Sequence, residues 1–426
     1  MEQTPLSSFS IEDADRCVMC GLCLPRCPTY RLYGQESESP RGRIALMRAL
    51  ATNELPMTSR LEEHLDNCLV CRACEAACPA EVPYGELIDA ARASMERGDQ
   101  RNTCPEPDTL LEELARLERW RPLLRFYQRS GLRKAARALG LPKALGMESL
   151  ERLLPELPPR FQWREHYAAS GEERGEVALF VGCTGKALDD TTLQAAIEVL
   201  NRIGYSVRIP RGQTCCGALH RHRGRMQKAR ELAQANLDSF QPEEVDAIVH
   251  VTSGCGVQLM EYPLLAGLDP ERAQRFSEKV FEISQFIHDT PWPEGSEPAP
   301  LDGIAALHLP CSLQHPRYRP ETITALLERI PRLRVIPLPD NALCCGAAGD
   351  YALRHPAAAK RLLAPKLESL KRIGAELLVT ANIGCALHFK AALREQGESI
   401  EVLHPIELLA RRLRHGDRLA LTPASP

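Results

Sequence analysis

Two stretches of twelve residues concentrate the chemistry of this chain: CVMCGLCLPRCP at 17–28 and CLVCRACEAACP at 68–79. Each reads C-x2-C-x2-C-x3-C-P, with thiols at Cys17, Cys20, Cys23 and Cys27 and again at Cys68, Cys71, Cys74 and Cys78. Three thiolates spaced by two residues wrap one face of a small inorganic cube. A fourth, displaced by three residues and followed by a helix-breaking proline, points away and ligates the other cluster of a pair. The spacing therefore predicts one [4Fe–4S] cluster on Cys17, Cys20, Cys23 and Cys78, and a second on Cys68, Cys71, Cys74 and Cys27. Structural zinc takes two separated pairs of ligands, whereas each run here already holds four thiols.

A second set of thiols recurs with a long period. VALFVGC ends at Cys183, TCCGA carries Cys215 and Cys216, and AIVHVTSGC ends at Cys255. The pattern returns as IAALHLPC ending at Cys311, LCCGAAG with Cys344 and Cys345, and LLVTANIGC ending at Cys385. The intervals agree within a residue, 32 and 33 to the first cysteine of each pair and 39 and 40 from its second. Duplication copies inert buried cysteines as readily as functional ones. Adjacent cysteines followed by Gly217 and Gly346 are poorly explained by packing alone, because glycine there permits a tight turn or close backbone approach. The reading is a redox, metal or ligand role for these eight residues.

The elements that must position these thiols follow from periodicity. Between the two runs, RGRIALMRALATNEL and TSRLEEHLDNC carry apolar residues at helical spacing, which predicts an α-helical two-cluster ferredoxin domain over 1–100. Arg41 and Arg43 fall at the start of the first of these helices, where a solvated role is expected. A connector over 101–172 holds the amphipathic TLLEELARLERW and then eight Arg and Lys without an acid between 119 and 143, interleaved with Trp120, Phe126 and Tyr127. Each later copy reads strand–helix–strand–helix–strand, so parallel βαβ units with right-handed crossovers are expected over 173–296 and 297–426. The fold class is α + α/β, with a helical ferredoxin followed by two tandem cysteine-rich repeats. The cysteines fall at or just beyond the carboxyl ends of strands, the edge where open α/β sheets bind ligands.

The chain has 426 residues, 17 cysteines and a net charge of −3. Its length suits about three domains; the charge gives no reason to invoke nucleic acid, and the clustered cysteines suit a reducing compartment. The polar, acidic start lacks a secretory pattern and no run is long enough to span a bilayer, so a cytoplasmic location is expected, peripheral on an inner membrane. No G-x-G-x-x-G or Walker A loop occurs, GCTGKALDD lacking the earlier glycine and the Ser/Thr, so the chain is expected to bind no flavin or nicotinamide of its own. Cys104 reads as a free thiol.

The combination of a two-cluster helical ferredoxin with two CCG repeats resembles the iron–sulfur subunits of glycolate oxidase. Cousins occur in anaerobic glycerol-3-phosphate dehydrogenase, lactate-utilisation proteins and heterodisulfide reductase. The resemblance is carried by SPRGRIALM, HLDNCLVCRACEAACP, TSGCG, PCSLQH, LCCGAAGDYAL and TANIGC. It implies an electron-transfer subunit without a substrate site. An FAD-containing partner would oxidise glycolate or a similar 2-hydroxy acid such as D-lactate, and electrons would pass on to a quinone or another respiratory acceptor. One departure stands out. Heterodisulfide reductases close each repeat with CxxC, and here the second position holds Gln258 in the first copy and His388 in the second. Histidine replaces cysteine in some clusters and raises the potential. An additional iron–sulfur centre would thus draw on Cys183, Cys215, Cys216, Cys255, Cys311, Cys344, Cys345, Cys385 and His388, with a proton relay or simple packing as the other roles for His388. His308, His315 and His220 sit beside the same crevices. Two other functions stay open on the residues alone: disulfide reduction by the CCG thiols, and a scaffold holding structural metal. The basic connector fits either an anionic membrane surface or an acidic face of the flavoprotein.

Overall fold

The computed structural model describes residues 9–96 and 119–414. In its first part the helices Pro40–Ala51, Ser59–Asp66 and Tyr84–Glu96 pack as a bundle. Their starts follow from capping chemistry: Ser39 Oγ accepts from the Gly42 N–H at 2.9 Å and Thr58 Oγ1 from the Leu61 N–H at 3.2 Å, satisfying first-turn donors. Met47, Leu50, Leu61, Leu65, Leu87 and Ile88 close the core, and the partly buried Cys17, Cys23, Cys68 and Cys78 pack against it.

Arg43 corrects one expectation. It is fully buried, ion-pairs with Glu38, and donates to Thr29 Oγ1 at 2.9 Å, the Glu38 carbonyl at 2.8 Å and the His64 carbonyl at 2.6 Å. Helical phase is the reason, since positions 43, 47 and 50 share the inward face. Arg41, two residues earlier, faces outward, pairs with Glu36 and donates to the Met19 carbonyl at 2.8 Å, holding the first cysteine loop.

The connector contributes a helix over 119–129 and the helices Leu132–Ala138 and Glu148–Leu153. Most of TLLEELARLERW, and Cys104, lie outside the described residues. The basic stretch is less free than its charge pattern implies. Arg121 is buried against Asp190 at 2.9 Å, and Arg133 is buried against Glu151 at 2.7 Å. The acids absent from the local sequence are supplied by distant residues.

Two open sheets follow. The first contains β1 (His166–Tyr167), β2 (Gly175–Phe180), β3 (Tyr205–Arg208), β4 (Ala247–His250) and β5 (Val280–Glu282), in the order β1-β3-β2-β4-β5, with only β1 antiparallel. The second contains β6 (Gly303–His308), β7 (Leu333–Pro337), β8 (Leu377–Thr380) and β9 (Glu401–Leu403), all parallel, in the order β7-β6-β8-β9. Three strands per copy were expected, and β5 and β9 each add a fourth. Such short strands carry too few residues for a pattern to register. In both sheets the chain leaves the first strand toward one side and returns past it to the other. The switch lies between β2 and β4, and between β6 and β8, which fixes the ligand crevice.

The repeats are not separate bodies. Ile406, Leu409 and Leu413 from the helix Pro405–Leu413 enter the core built on Val177, Leu193 and Val249 of the first repeat. Thr192 Oγ1 donates to Glu407 Oε1 at 2.7 Å across the same contact. Phe180 and Leu259 share another core with Leu307 and Val379.

Candidate metal centres and the cavity between them

The two cysteine runs occupy loops on the ferredoxin bundle. Cys27 is buried with its Sγ 3.3 Å from Thr29 Oγ1, beside the Glu38 carbonyl that Arg43 also engages. Burial, reinforced by neighbouring thiols that include Cys27 and Cys68, pushes the Cys71 and Cys74 thiols well up. Cys27 therefore stands with the second run in space, the neighbourhood that the crossed ligand set requires. Val70 N–H points at Cys68 Sγ at 3.4 Å, and the Tyr84 hydroxyl donates to the same sulfur at 3.4 Å. A thiol-only donor set with N–H and O–H donors aimed at sulfur fits a cluster, whose binding must displace the protons these thiols hold. The first run lies at the surface: Cys20 is exposed, and Val18, Met19 and Leu22 beside it are 72%, 47% and 56% exposed.

In each repeat the strands stop before the cysteines. β2, β4 and β8 end at Phe180, His250 and Thr380, and Cys183, Cys255 and Cys385 lie in the first turns of the helices Cys183–Leu188, Ser253–Met260 and Ile383–Glu395. The thiols converge: Cys183 and Cys215 sulfurs are 3.5 Å apart, and those of Cys345 and Cys385 are 3.2 Å apart. The CCG turn depends on its glycine. Gly217 and Gly346 have φ of +87° and +88°, and a Cβ on them would meet the Ala229 and Ala359 carbonyl oxygens at 3.1 and 2.9 Å. That turn aims the Gly217 and Gly346 N–H groups at the sulfurs of Cys215 and Cys344, at 3.5 and 3.4 Å. Sharing hydrogen bonds with Cys215 and Cys344, together with burial, raises the Cys183 and Cys311 thiols well above the ordinary range. The converging sulfurs, with backbone N–H groups aimed at two of them, fit a donor set for a thiophilic metal, whose binding displaces the thiol protons.

His388 does not join its thiols. It is buried, its Nε2 lies 3.3 Å from the Ala359 carbonyl, and the buried group of metal-capable atoms in this repeat is His308, Cys345 and Cys385, all within 4.8 Å of one another. The register of β6 beside β8 brings His308 there, a contact invisible in the spacing of the cysteines. His315 instead faces Glu261 at 3.7 Å.

Ferredoxin and repeats meet around a cavity of about 1800 Å³. Cys68 and Cys71 reach it from the ferredoxin, Cys215, Cys216 and Cys255 from the first repeat, and Cys311 and Cys344 from the second. Cys311 is close enough to Cys71 to disfavour ionisation of the Cys71 thiol, and Leu69 packs with Cys344 and Tyr351 in one small core. Ion pairs lock the junction: Arg221 makes buried bonds to Asp89 at 2.9 Å and Glu261 at 2.7 Å, Arg72 also pairs with Glu261, and the partly buried Arg354 reaches Asp66 at 3.0 Å. The mouth is apolar, with exposed Trp120, Leu123, Leu141, Leu145 and Met147 of the connector among its lining.

A family model of a 4Fe-4S dicluster domain matches residues 13–82, and one of a cysteine-rich domain matches 177–260 and 305–390. A model of the linker region of the glycolate oxidase iron-sulfur subunit matches 108–154. The chain is 33% identical over 416 residues to the probable glycolate oxidase iron-sulfur subunit of Bacillus subtilis, covering 94% of each protein. It belongs to the glycolate oxidase iron–sulfur subunit family. The Escherichia coli glycolate oxidase iron-sulfur subunit is 33% identical over 411 residues, 93% of each chain. Lactate utilization protein A of Bacillus cereus is 30% identical over 240 residues, 56% of this chain and 99% of that protein. The dicluster match spans both cysteine runs, so the chain carries iron–sulfur clusters rather than structural zinc in this domain. It also explains the connector, which is a recognised part of the family architecture. Among the described residues no helix is long and apolar enough to cross a membrane.

Proposed function

We propose that this chain is the electron-transfer subunit of a flavin-dependent 2-hydroxy-acid oxidase, with glycolate as the acid its partner oxidises and a membrane quinone as acceptor. The observation that carries the reading is that thiols of the ferredoxin and of both repeats open on one cavity, with Cys71 against Cys311. Bound clusters supply one-electron carriers at these thiol groups. The chain's own residues set the order of the groups. The Cys17, Cys20 and Cys23 loop, with exposed Val18, Met19 and Leu22, is the face for the flavoprotein. Cys27, Cys71 and Cys74 lie inward with the partly buried Cys68, and Cys311 and Cys344 lie near Cys71.

The cavity suits a quinone. Its connector-built mouth is apolar, as a prenyl tail requires, and Gln258 in its wall has an Nε2 without a hydrogen-bond partner among the described residues. An unpaired buried donor costs about 1–3 kcal/mol, and a quinone carbonyl would satisfy it. The exposed apolar side chains of the connector, with exposed Arg129, Lys134 and Lys143 nearby in sequence, favour the surface of an inner membrane as the source of that quinone.

The test is reconstitution with the flavoprotein partner. Glycolate should reduce the clusters and then a short-chain quinone, D-lactate serving as the competing substrate, and the isolated chain should turn over neither acid. Clusters that stay oxidised with partner and glycolate present would refute the subunit role. Quinone reduction unchanged by Gln258→Leu would refute the headgroup site.

A further inference from the structure

The two repeats are copies in sequence, yet their crevices differ at the strand ends. Where β2 meets β4, the register pairs Phe180 with His250. Where β6 meets β8, the same position pairs His308 with Thr380. The imidazole has moved from one strand of the switch point to the other. In the first repeat His250 Nε2 lies 3.2 Å from the Tyr318 hydroxyl, and the ring packs edge-on against Tyr318. In the second repeat His308 Nδ1 lies 2.9 Å from Thr380 Oγ1, and Nε2 has no partner among the described residues. His308 is 1% exposed, and its ring stands edge-on to Phe389.

An unpaired imidazole nitrogen in so dry a site is costly unless something coordinates it. The atoms that His308, Cys345 and Cys385 offer to a metal all lie within 4.8 Å of one another, and all three residues are buried. We propose that His308, through Nε2, is the histidine ligand of the metal centre in the second repeat, taking the place of the thiol that a closing CxxC would supply; buried His250 Nδ1 and His388 Nδ1 also lack a partner, but among the described residues only His308 has its ligand atom grouped with two thiols. This rests on the reading that the second repeat holds an iron–sulfur centre. Thr380 is the positioning residue: by accepting from Nδ1–H it fixes the tautomer that leaves the Nε2 lone pair toward sulfur, the usual arrangement of a ligating histidine.

Lys366 makes the same asymmetry electrostatic. It is buried, donates Nζ to the Asp340 carbonyl at 2.9 Å, and lies within the field of Cys345, Cys344, Cys385 and Cys311. A neutral ligand in place of a thiolate and a fixed cation nearby both favour the reduced form. Both features raise the potential expected of a centre in the second repeat, on the side that adjoins Cys71.

The experiment is pulsed paramagnetic resonance on the full chain, purified anaerobically with histidine carrying heavy nitrogen, together with iron analysis and redox titration. Expected are iron beyond two four-iron clusters and a histidine nitrogen coupling on the extra centre. His388→Gln should keep that coupling. His308→Cys should lose it, retain the iron and lower the midpoint potential. If His308→Cys instead loses the centre, imidazole added to His308→Ala should restore both iron and coupling, and failure to do so refutes the ligand. Extra iron without nitrogen coupling, or coupling that survives His308→Cys or disappears in His388→Gln, also overturns His308. Iron no greater than two four-iron clusters overturns the centre itself, and the ligand with it.

Discussion

At the residue scale, partners decide what a charged group does. Arg43 pairs with Glu38 in the wall behind Cys27, so Arg43→Met leaves that buried carboxylate with only His64 and Asn67 as partners, at 2.7 and 3.1 Å. A loss of about 3–5 kcal/mol is expected, read as an earlier denaturation midpoint together with iron lost from the ferredoxin. Unchanged stability would mean that His64 and Asn67 suffice to hold Glu38. Glu282 behaves in the opposite sense. Burial pushes its carboxyl up to about 7, although it caps the helix Ile283–Asp289 by accepting from the Ser284 and Gln285 N–H groups at 2.7 and 3.1 Å. An unfolded glutamate titrates near about 4.3, so between these values the native state holds the extra proton. The stability it contributes is complete below the lower value and is lost as pH rises through the upper one. Glu282→Gln should therefore gain stability relative to wild type on going from about pH 5 to about pH 8, measured by denaturant midpoints. A constant difference between the two proteins would refute the buried proton. Cys78→Ser probes the crossed assignment: resonance of the reduced protein should change for the cluster of Cys17, Cys20 and Cys23, and a change confined to the other cluster would contradict it.

At the scale of elements, the connector separates by side chain into structural and exposed parts. Arg121 and Arg133 are buried struts, and Arg121→Gln should destabilise the chain because Asp190 is fully buried opposite it. That variant says nothing about membranes. The informative substitutions are Trp120→Ser and Leu123→Ser, whose side chains are 56% and 58% exposed at the cavity mouth. Little change in stability is expected, with weaker binding to anionic vesicles and a higher KM for a long-tailed quinone but not for a short-tailed one. Equal effects on both quinones would assign the mouth to another partner. Lys134→Gln and Lys143→Gln test the electrostatic share, about 1 kcal/mol per cation near an anionic surface and lost in high salt.

At the scale of the molecule, the duplicated halves fold as one unit. Leu409 belongs to the second copy in sequence and to the core of the first copy in space. Its truncation to alanine should cost about 2–5 kcal/mol and broaden or shift the unfolding of both sheets together. A chain divided between 296 and 297 should yield fragments that expose Val177, Leu193 and Val249 on one side and the 405–413 helix on the other. Independent cooperative unfolding of the fragments would refute this. The ion pairs of Arg221, Arg72 and Arg354 with Asp89, Glu261 and Asp66 attach the ferredoxin to both repeats. The placement of Cys71 against Cys311 is therefore a property of the whole chain.

What the sequence by itself determined was the chemistry held in local spacing. Four thiols in twelve residues define a ligand set before any fold exists, and the recurrence of Cys183, Cys215, Cys216 and Cys255 at a fixed offset identifies the duplication and its parallel sheets. Strands of three residues escaped because they offer no period to read. Tertiary structure decided everything that depends on two distant segments meeting. Helical phase buried Arg43, and Asp190 arrived from far along the chain to claim Arg121. The neighbourhood of His308 was of the same kind. His388 lies on a helix next to its cysteine in sequence, but it is strand register, through the β6–β8 pairing, that sets His308 beside Cys345 and Cys385. Sequence spacing fixes which atoms are near when the chain between them is short. When it is long, loop closure allows many partners, and only the packed sheet selects one.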